Sequence, residues 1–271
     1  PDIASFVDRL ERGARGASSE VVYPLPSTGA KGAALDGLKV VVTAGPTREP
    51  IDPVRYITNA SSGRQGYAIA QAARHAGAEV TLISGPVSLE CPAGVDRIDV
   101  TTATEMKEAT VRQAGNADVL VAVAAVADYR PAAAADQKIK KSEQSASSMS
   151  IPLVENDDIL KCVAALDDRP FLVGFAAETH NAIEYARAKR IRKGIDVIVV
   201  NDVSDRSIGF DSADNAVTII HAGGEEPLEK ATKSEIADKL VTAIAKLYSE
   251  KRKLGSLSLI HISEPTRLHC I

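Results

Sequence analysis

Two loops carry the residues best able to do chemistry. The first, AGPTREPIDPVRYITNASSGRQG, spans Ala44 to Gly66. Arg48 and Arg55 are candidate clamps within it, because a guanidinium meets phosphate or carboxylate oxygens in a bidentate fork. Ser61, Ser62 and Gly63 stand where a helix begins, and the free N–H groups at a helix start attract anions. Pro46, Pro50 and Pro53 stiffen a connection that is long for its kind. The alternative is plain: serines are ordinary helix caps and arginines often lie on surfaces. The dinucleotide fingerprint G-x-G-x-x-G is missing. The second loop follows VAVAAVADYRP (121–131). Ala122, Ala124, Ala125 and Ala127 would let a ligand approach the backbone closely. Asp128 could accept from sugar hydroxyls or hold a metal, or it could be a turn residue after a packed strand.

Other segments are ambiguous by themselves. KIKK (138–141) reads as a solvated charge run, or as a mobile lid whose Lys138 neutralises charge in phosphoryl chemistry. In ENDDIL (155–160), Asn156 suits an N-cap and the acidic residues suit a first turn. Phe175 could face a base or pack in the core. Lys189 and Lys193 share one helix face. With Arg190 and Arg192 they either neutralise a triphosphate or are solvated. His180 and His221 are isolated and lack ligand spacing. No Ser-His-Asp order and no G-x-S-x-G elbow appears.

The elements that must position these loops alternate. Apolar runs at 38–45, 78–85, 95–102, 117–129, 169–178 and 195–202 read as strands. Segments 62–76, 103–115, 181–194 and 233–253 read as helices, and 215–224 as an edge strand or hairpin. This predicts an α/β fold: a doubly wound, mostly parallel, Rossmann-like sheet with helices on both faces and a small edge hairpin. Ligands in such sheets sit at the carboxyl ends of strands, which selects the loops after Ala44, Gly85, Ala127, Ala176 and Val200.

The 271 residues are 45% hydrophobic and 25% charged, enough for one large domain with flanking segments. A net charge of −4 with no long basic face argues against a nucleic-acid partner. No apolar run approaches the roughly 18 residues of a membrane span. Cys91, Cys162 and Cys270 match neither a disulfide framework nor a zinc site, which points to a reducing cytosol and a cytoplasmic protein. Pro1 at the start suggests a fragment, with residues 1–36 holding a short helix (3–15) and a linker to something upstream. Residues 37–253 form the working domain, and 254–271 read as a foreign, disordered tail.

Taken together, TAGPTREPIDPVRYITNASSG, AAVADYRP, KIKK and VGFAAET resemble the phosphopantothenoylcysteine synthetase domain of bacterial bifunctional coenzyme A biosynthesis proteins, over about residues 36–250. The resemblance implies an FMN-dependent decarboxylase upstream and no FMN site here. It implies a CTP-dependent ligation with Mg²⁺, whose ligands stay unassigned. The carboxylate of 4′-phosphopantothenate would attack the α-phosphate, and cysteine would then displace CMP from the acyl-cytidylate. Lys138 would neutralise the α-phosphate and Asn59 would serve use of the intermediate. Arg55 and Ala124 would bind phosphopantothenate. Ser61, Ser62 and Gly63 would hold phosphate oxygens. The CTP set would be Ala122, Asp128, Lys138, Asn156, Asp157, Asp158, Ile159, Phe175, Lys189 and Lys193. It further implies a homodimer with the pantothenate site near the interface. Two positions depart from the family's pattern: Arg64 where lysine is frequent, and Asp157 where proline is common. Two alternatives remain on the residues alone. One is a short-chain-type NAD(P)-dependent dehydrogenase, since Tyr185 and Lys189 match its Tyr-x-x-x-Lys spacing. The other is a non-catalytic nucleotide-binding module.

Overall fold

The computed structural model describes residues 33–140, 149–178, 181–202 and 214–262. The helix expected at 3–15, most of the linker after it, Lys141, His180 and residues 263–271 lie outside them. The first strand, β1 (Lys39–Ala44), is KVVVTA and is buried beyond its first residue. An apolar run of this kind needs cover on both faces. It pairs in parallel with β4 (Glu79–Ser84) on one side and β6 (Val119–Ala122) on the other. Beyond β4 lies β5 (Val95–Asp99), and beyond β6 lie β9 (Phe171–Glu178) and β10 (Val197–Asp202). An antiparallel hairpin of β11 (Asp214–His221) and β12 (Gly224–Thr232) closes that edge. The strand order β12-β11-β10-β9-β6-β1-β4-β5 reverses direction between β1 and β6. This is the doubly wound sheet that the alternation predicted, and the reversal opens a crevice at the carboxyl ends of those two strands.

Side-chain alternation divides the core. Val40 and Val42 face one layer with Tyr67 and Ile69 of α1 (Arg64–His75) and Leu240 and Ile244 of α5 (Lys233–Ile262). Val41 joins the other with Met106 of α2 (Ala103–Ala114), Leu160 of α3 (Ile159–Ala164) and Ala186 of α4 (Ala182–Lys193). Burying each large aliphatic side chain contributes about 1.5–3 kcal/mol.

Four expectations change. The loop after β1 is not irregular: it folds into an antiparallel hairpin of β2 (Arg48–Asp52) and β3 (Arg55–Thr58). Its turn forms because the Asp52 carboxylate accepts from the N–H groups of Val54 and Arg55, at 2.9 and 3.0 Å. The hairpin is locked to α2, since the buried Glu49 accepts from the Ala103 N–H at 2.9 Å. The run 117–129 is strand only to Ala122. Beyond it the chain follows the backbone leaving β1, then forms β7 (Tyr129–Pro131) against β8 (Leu153–Glu155). Leu35 is in the core at 2% exposure, with its N–H bonded to Ala76 O, so packing begins inside the expected linker. At the other end α5 continues to Ile262 rather than stopping at 253, and no proline interrupts the sequence until Pro265.

Gly66 lies where α1 crosses β1. A Cβ there would sit 2.5 Å from Ala44 Cβ and 3.3 Å from Thr43 O. Neither atom can swing aside. Gly66→Ala is therefore expected to destabilise by about 1–3 kcal/mol through overpacking, despite alanine's better helix propensity. A lower urea midpoint with an unchanged slope checks it.

Candidate nucleotide and substrate cleft

The crevice at the β1–β6 reversal contains two adjoining chambers. The first, about 360 Å³, is lined by Gly45, Asn59, Ser61, Ser62, Gly63, Ala124, Asp128, Phe175 and Lys189, among others. Its floor explains the missing glycine fingerprint. Gly45 follows β1 with φ +75°, and Gly63 caps α1 with φ +76°. A Cβ on Gly63 would lie 3.4 Å from Gly45 Cα. With Gly66, they form a glycine cluster in space whose first two members are separated in sequence by the β2–β3 hairpin. Positive φ and this backbone contact admit glycine and little else.

Gly63 offers no side-chain cap, and α1 has no acid in its first turn. Its own N–H points to Ser61 Oγ at 3.3 Å. The amides that the helix start leaves without an intrahelical partner are those one step on, at Arg64, Gln65 and Gly66, residues that line the same chamber.

Asn59 ties the two loops together, donating to Val126 O at 2.9 Å and Ala125 O at 3.4 Å. Two hydroxyls fix the alanine-rich segment from the β1 side. Thr43 Oγ1 accepts from the Ala124 N–H at 3.2 Å, and the buried Thr47 Oγ1 accepts from the Ala127 N–H at 3.0 Å.

The second chamber, about 550 Å³, shares Ala124, Val126, Asp128 and Phe175 with the first. It gathers Ala122, Asn156, Asp157, Asp158, Ile159 and Lys193. Asn156 is not a helix cap, as its type suggested. Asp158 caps α3, accepting from the Lys161 N–H at 3.2 Å. Asn156 instead donates to Ala127 O at 2.8 Å and accepts from Arg130 at 2.9 Å. Arg130 also donates to Glu155 O at 2.8 Å, so it positions the whole loop. It stood within the DYRP motif, but nothing in its type announced that role.

Asp157 is joined to Lys107 of α2 at 2.7 Å. This ammonium holds the Asp157 carboxyl below its usual range, while the carboxylate raises the lysine. Lys193 pairs with Asp158 at 3.1 Å. Lys189 and Lys193, neighbours on one helix face, thus serve different chambers. Phe175 packs on the core and also lines both chambers. Asn201, Asn215, Gln65 and Lys233 also line the first chamber and were not anticipated. Asn215 donates to Gln65 Oε1 at 3.2 Å.

Arg55 and Lys138 line neither chamber. Arg55 donates through Nε to Asp52 at 2.9 Å, and its Nη2 contacts the same carboxylate and Ile139 O. Asp52 also accepts from the Ile139 N–H at 3.1 Å. The hairpin turn and the 138–140 segment are therefore one unit, and Lys138 is exposed on it. Tyr185 is 61% exposed and lines neither chamber, so the Tyr185–Lys189 pair forms no dehydrogenase site.

The family described as DNA/pantothenate metabolism flavoprotein C-terminal domain matches residues 35–248. The chain belongs to this family. It is 50% identical over 214 residues to the coenzyme A biosynthesis bifunctional protein CoaBC of Vibrio parahaemolyticus, covering 79% of this chain and 53% of that protein. It is 49% identical over 220 residues to CoaBC of Escherichia coli K12, covering 81% and 54%. The chain thus spans about half the length of these curated relatives. A crystal structure of the C-terminal domain of a CoaBC superposes with a TM-score of 0.68 at 40% identity, covering 80% of this chain and 99% of that one.

The Asp52 carboxyl lies well below the ordinary aspartate range, first because Arg55 hydrogen-bonds to it and then because Val54 and Ile139 donate N–H groups; burial opposes them. A depressed carboxyl contributes fully above the unfolded pKa of about 3.9 and loses its contribution as pH falls through the depressed value. The Ile139 amide is accordingly expected to keep its hydrogen-exchange protection from pH 7 down to about 5. Asp52→Asn is expected to lose that protection at every pH. Equal exchange in both proteins would refute the anchoring.

Proposed function

We propose that this domain is a phosphopantothenate–cysteine ligase of coenzyme A biosynthesis, using CTP. The observation that carries the reading is the pair of joined chambers at the strand reversal. One gathers Asn59, Ala124 and the expected phosphate residues with Lys189, and the other gathers Ala122, the 156–159 loop and Lys193, while both include Asp128 and Phe175. Residues 37–253 would be the ligase unit, and an FMN-dependent decarboxylase would belong to the rest of the full-length protein.

The cytidine would lie in the second chamber against Phe175 and the 156–159 loop, with its phosphates toward α1. The first-turn amides, Ser61 and Ser62 would hold phosphate oxygens, and Lys189 would add positive charge. The substrate carboxylate attacks the α-phosphorus, the bond to the bridging oxygen breaks, and pyrophosphate leaves. The cysteine amine then attacks the acyl carbon, CMP departs, and the amine gives up a proton. Asn59 would position the acyl group beside Ala124. No cluster of three metal-binding side chains occurs among the described residues. The residues fit magnesium arriving on the triphosphate, which takes only one or two carboxylates. Asp128 opens to both chambers and could supply one of them. When bound, the ion would neutralise phosphate charge.

The position of Lys138 and Arg55 outside their own cleft supports a homodimer in which each hairpin unit serves the partner's site. The hairpin exposes Val54 at 58% and Tyr56 at 47%, and the β7–β8 ladder exposes Tyr129 and Leu153 at 47% each. Exposed apolar side chains of this kind are expected at an interface.

Two measurements test the proposal. Incubation with phosphopantothenate, cysteine, magnesium and each nucleotide in turn is expected to release pyrophosphate best with CTP, and to release CMP only with cysteine present. Lys138→Gln is expected to slow acyl-cytidylate formation about 10²–10³-fold while nucleotide binding changes far less. Mixing subunits of Lys138→Gln and Asn59→Ala should then restore activity, because one composite site becomes intact. No recovery after verified subunit exchange would place both residues in the same chain's site.

A further inference from the structure

Arg48 was singled out by its sequence setting, and the reaction as derived leaves it unused. It lines a third cavity, about 490 Å³, together with Ser61, Ser62, Arg64, Ser88 and the chain after β4. Ser61, Ser62 and Arg64 also line the first chamber, so the two spaces adjoin. The second chamber extends toward α3, and this cavity extends toward the chain after β4.

Its chemistry is one-sided. The lining holds two arginines and three serines but no carboxylate. Arg48 stands 4.8 Å over the Tyr56 ring, which orients the guanidinium without neutralising it. Arg64 is the first residue of α1 and is exposed. Among the described residues neither arginine has a carboxylate partner. Cations elsewhere do: Arg55 holds Asp52, Lys107 holds Asp157 and Lys193 holds Asp158. Two unneutralised guanidinium groups beside hydroxyls suit a phosphate group.

We propose that this cavity is a phosphate subsite, in which Arg48 and Arg64 bind a phosphoryl group of a molecule whose reacting end occupies the first chamber. The ligase reading supplies two sources: the terminal phosphate of 4′-phosphopantothenate and the departing pyrophosphate. The inference rests on that reading for the names of the sources, while the phosphate chemistry stands on the residues.

The test titrates the full chain calorimetrically with inorganic pyrophosphate and magnesium, without nucleotide, in the wild type, Arg48→Gln and Arg64→Gln. In parallel, kcat/KM is measured with phosphopantothenate and with unphosphorylated pantothenate. If the subsite takes pyrophosphate, each variant weakens its binding about tenfold. If it takes the acid's phosphate, each variant loses about tenfold in preference for phosphopantothenate over pantothenate. Either result supports the subsite and identifies its source. Variants with wild-type Tm that change neither quantity overturn it. Should Arg48→Gln fail to fold, Arg64→Gln at the exposed helix start decides alone. Arginine-dependent pyrophosphate binding without any ligase turnover would keep the subsite and remove the ligase reading.

Discussion

A seam of hydrogen bonds joins the chain leaving β1 to the chain leaving β6, and both chambers depend on it. Thr43, Thr47 and Asn59 reach across to the backbone of Ala124, Ala125, Val126 and Ala127. Each bond contributes only about 0.5–1.5 kcal/mol net, yet an unmade bond at a buried site costs more. The alanines bring no bulk to the seam. They therefore leave room for ligand on either side of a backbone that is held in place. Asp128 emerges from this segment and opens to both chambers.

Charge around the seam is mixed. The chain carries a net −4, and the chambers hold cations such as Lys189, Lys193 and Lys233 beside Asp128, Asp157 and Asp158. Some cations are structural. Lys107 and Lys193 hold the 157–158 carboxylates from two different helices, and Arg130 holds Asn156 between them. At Asp157 an ion pair to α2 restrains the loop. Such pairs are weak at the surface and weaken further with salt. The α1 amides are different: the backbone fixes them, so they present positive charge without ordering a side chain.

The fold was legible because its signals are local. The continuous apolar run in KVVVTA, amphipathic spacing in α1 and α2, and the strand–helix alternation all lie within windows of a few residues. The same is true of SSG as a helix start. Failures occurred where a partner lay far along the chain. Asn156 looks like a cap, but its partners are Ala127 and Arg130. Residues 44–66 look like a loop, although Glu49 docks them on α2 through the distant Ala103 N–H. The dehydrogenase pair matched by spacing alone, and the fold exposes its tyrosine.

The sequence by itself determined the sheet, its helices, the family and the kinds of residue available for phosphate chemistry, since each is written in short-range pattern and side-chain type. Only the tertiary structure decided which of those residues meet. It brought Gly45 against Gly63 across an inserted hairpin, divided Lys189 from Lys193 between two chambers, and carried Arg55 and Lys138 away from their own cleft. The physical reason is that hydrogen bonds, ion pairs and backbone contacts are selected by distance in space, and chain closure around the β1–β6 reversal sets those distances.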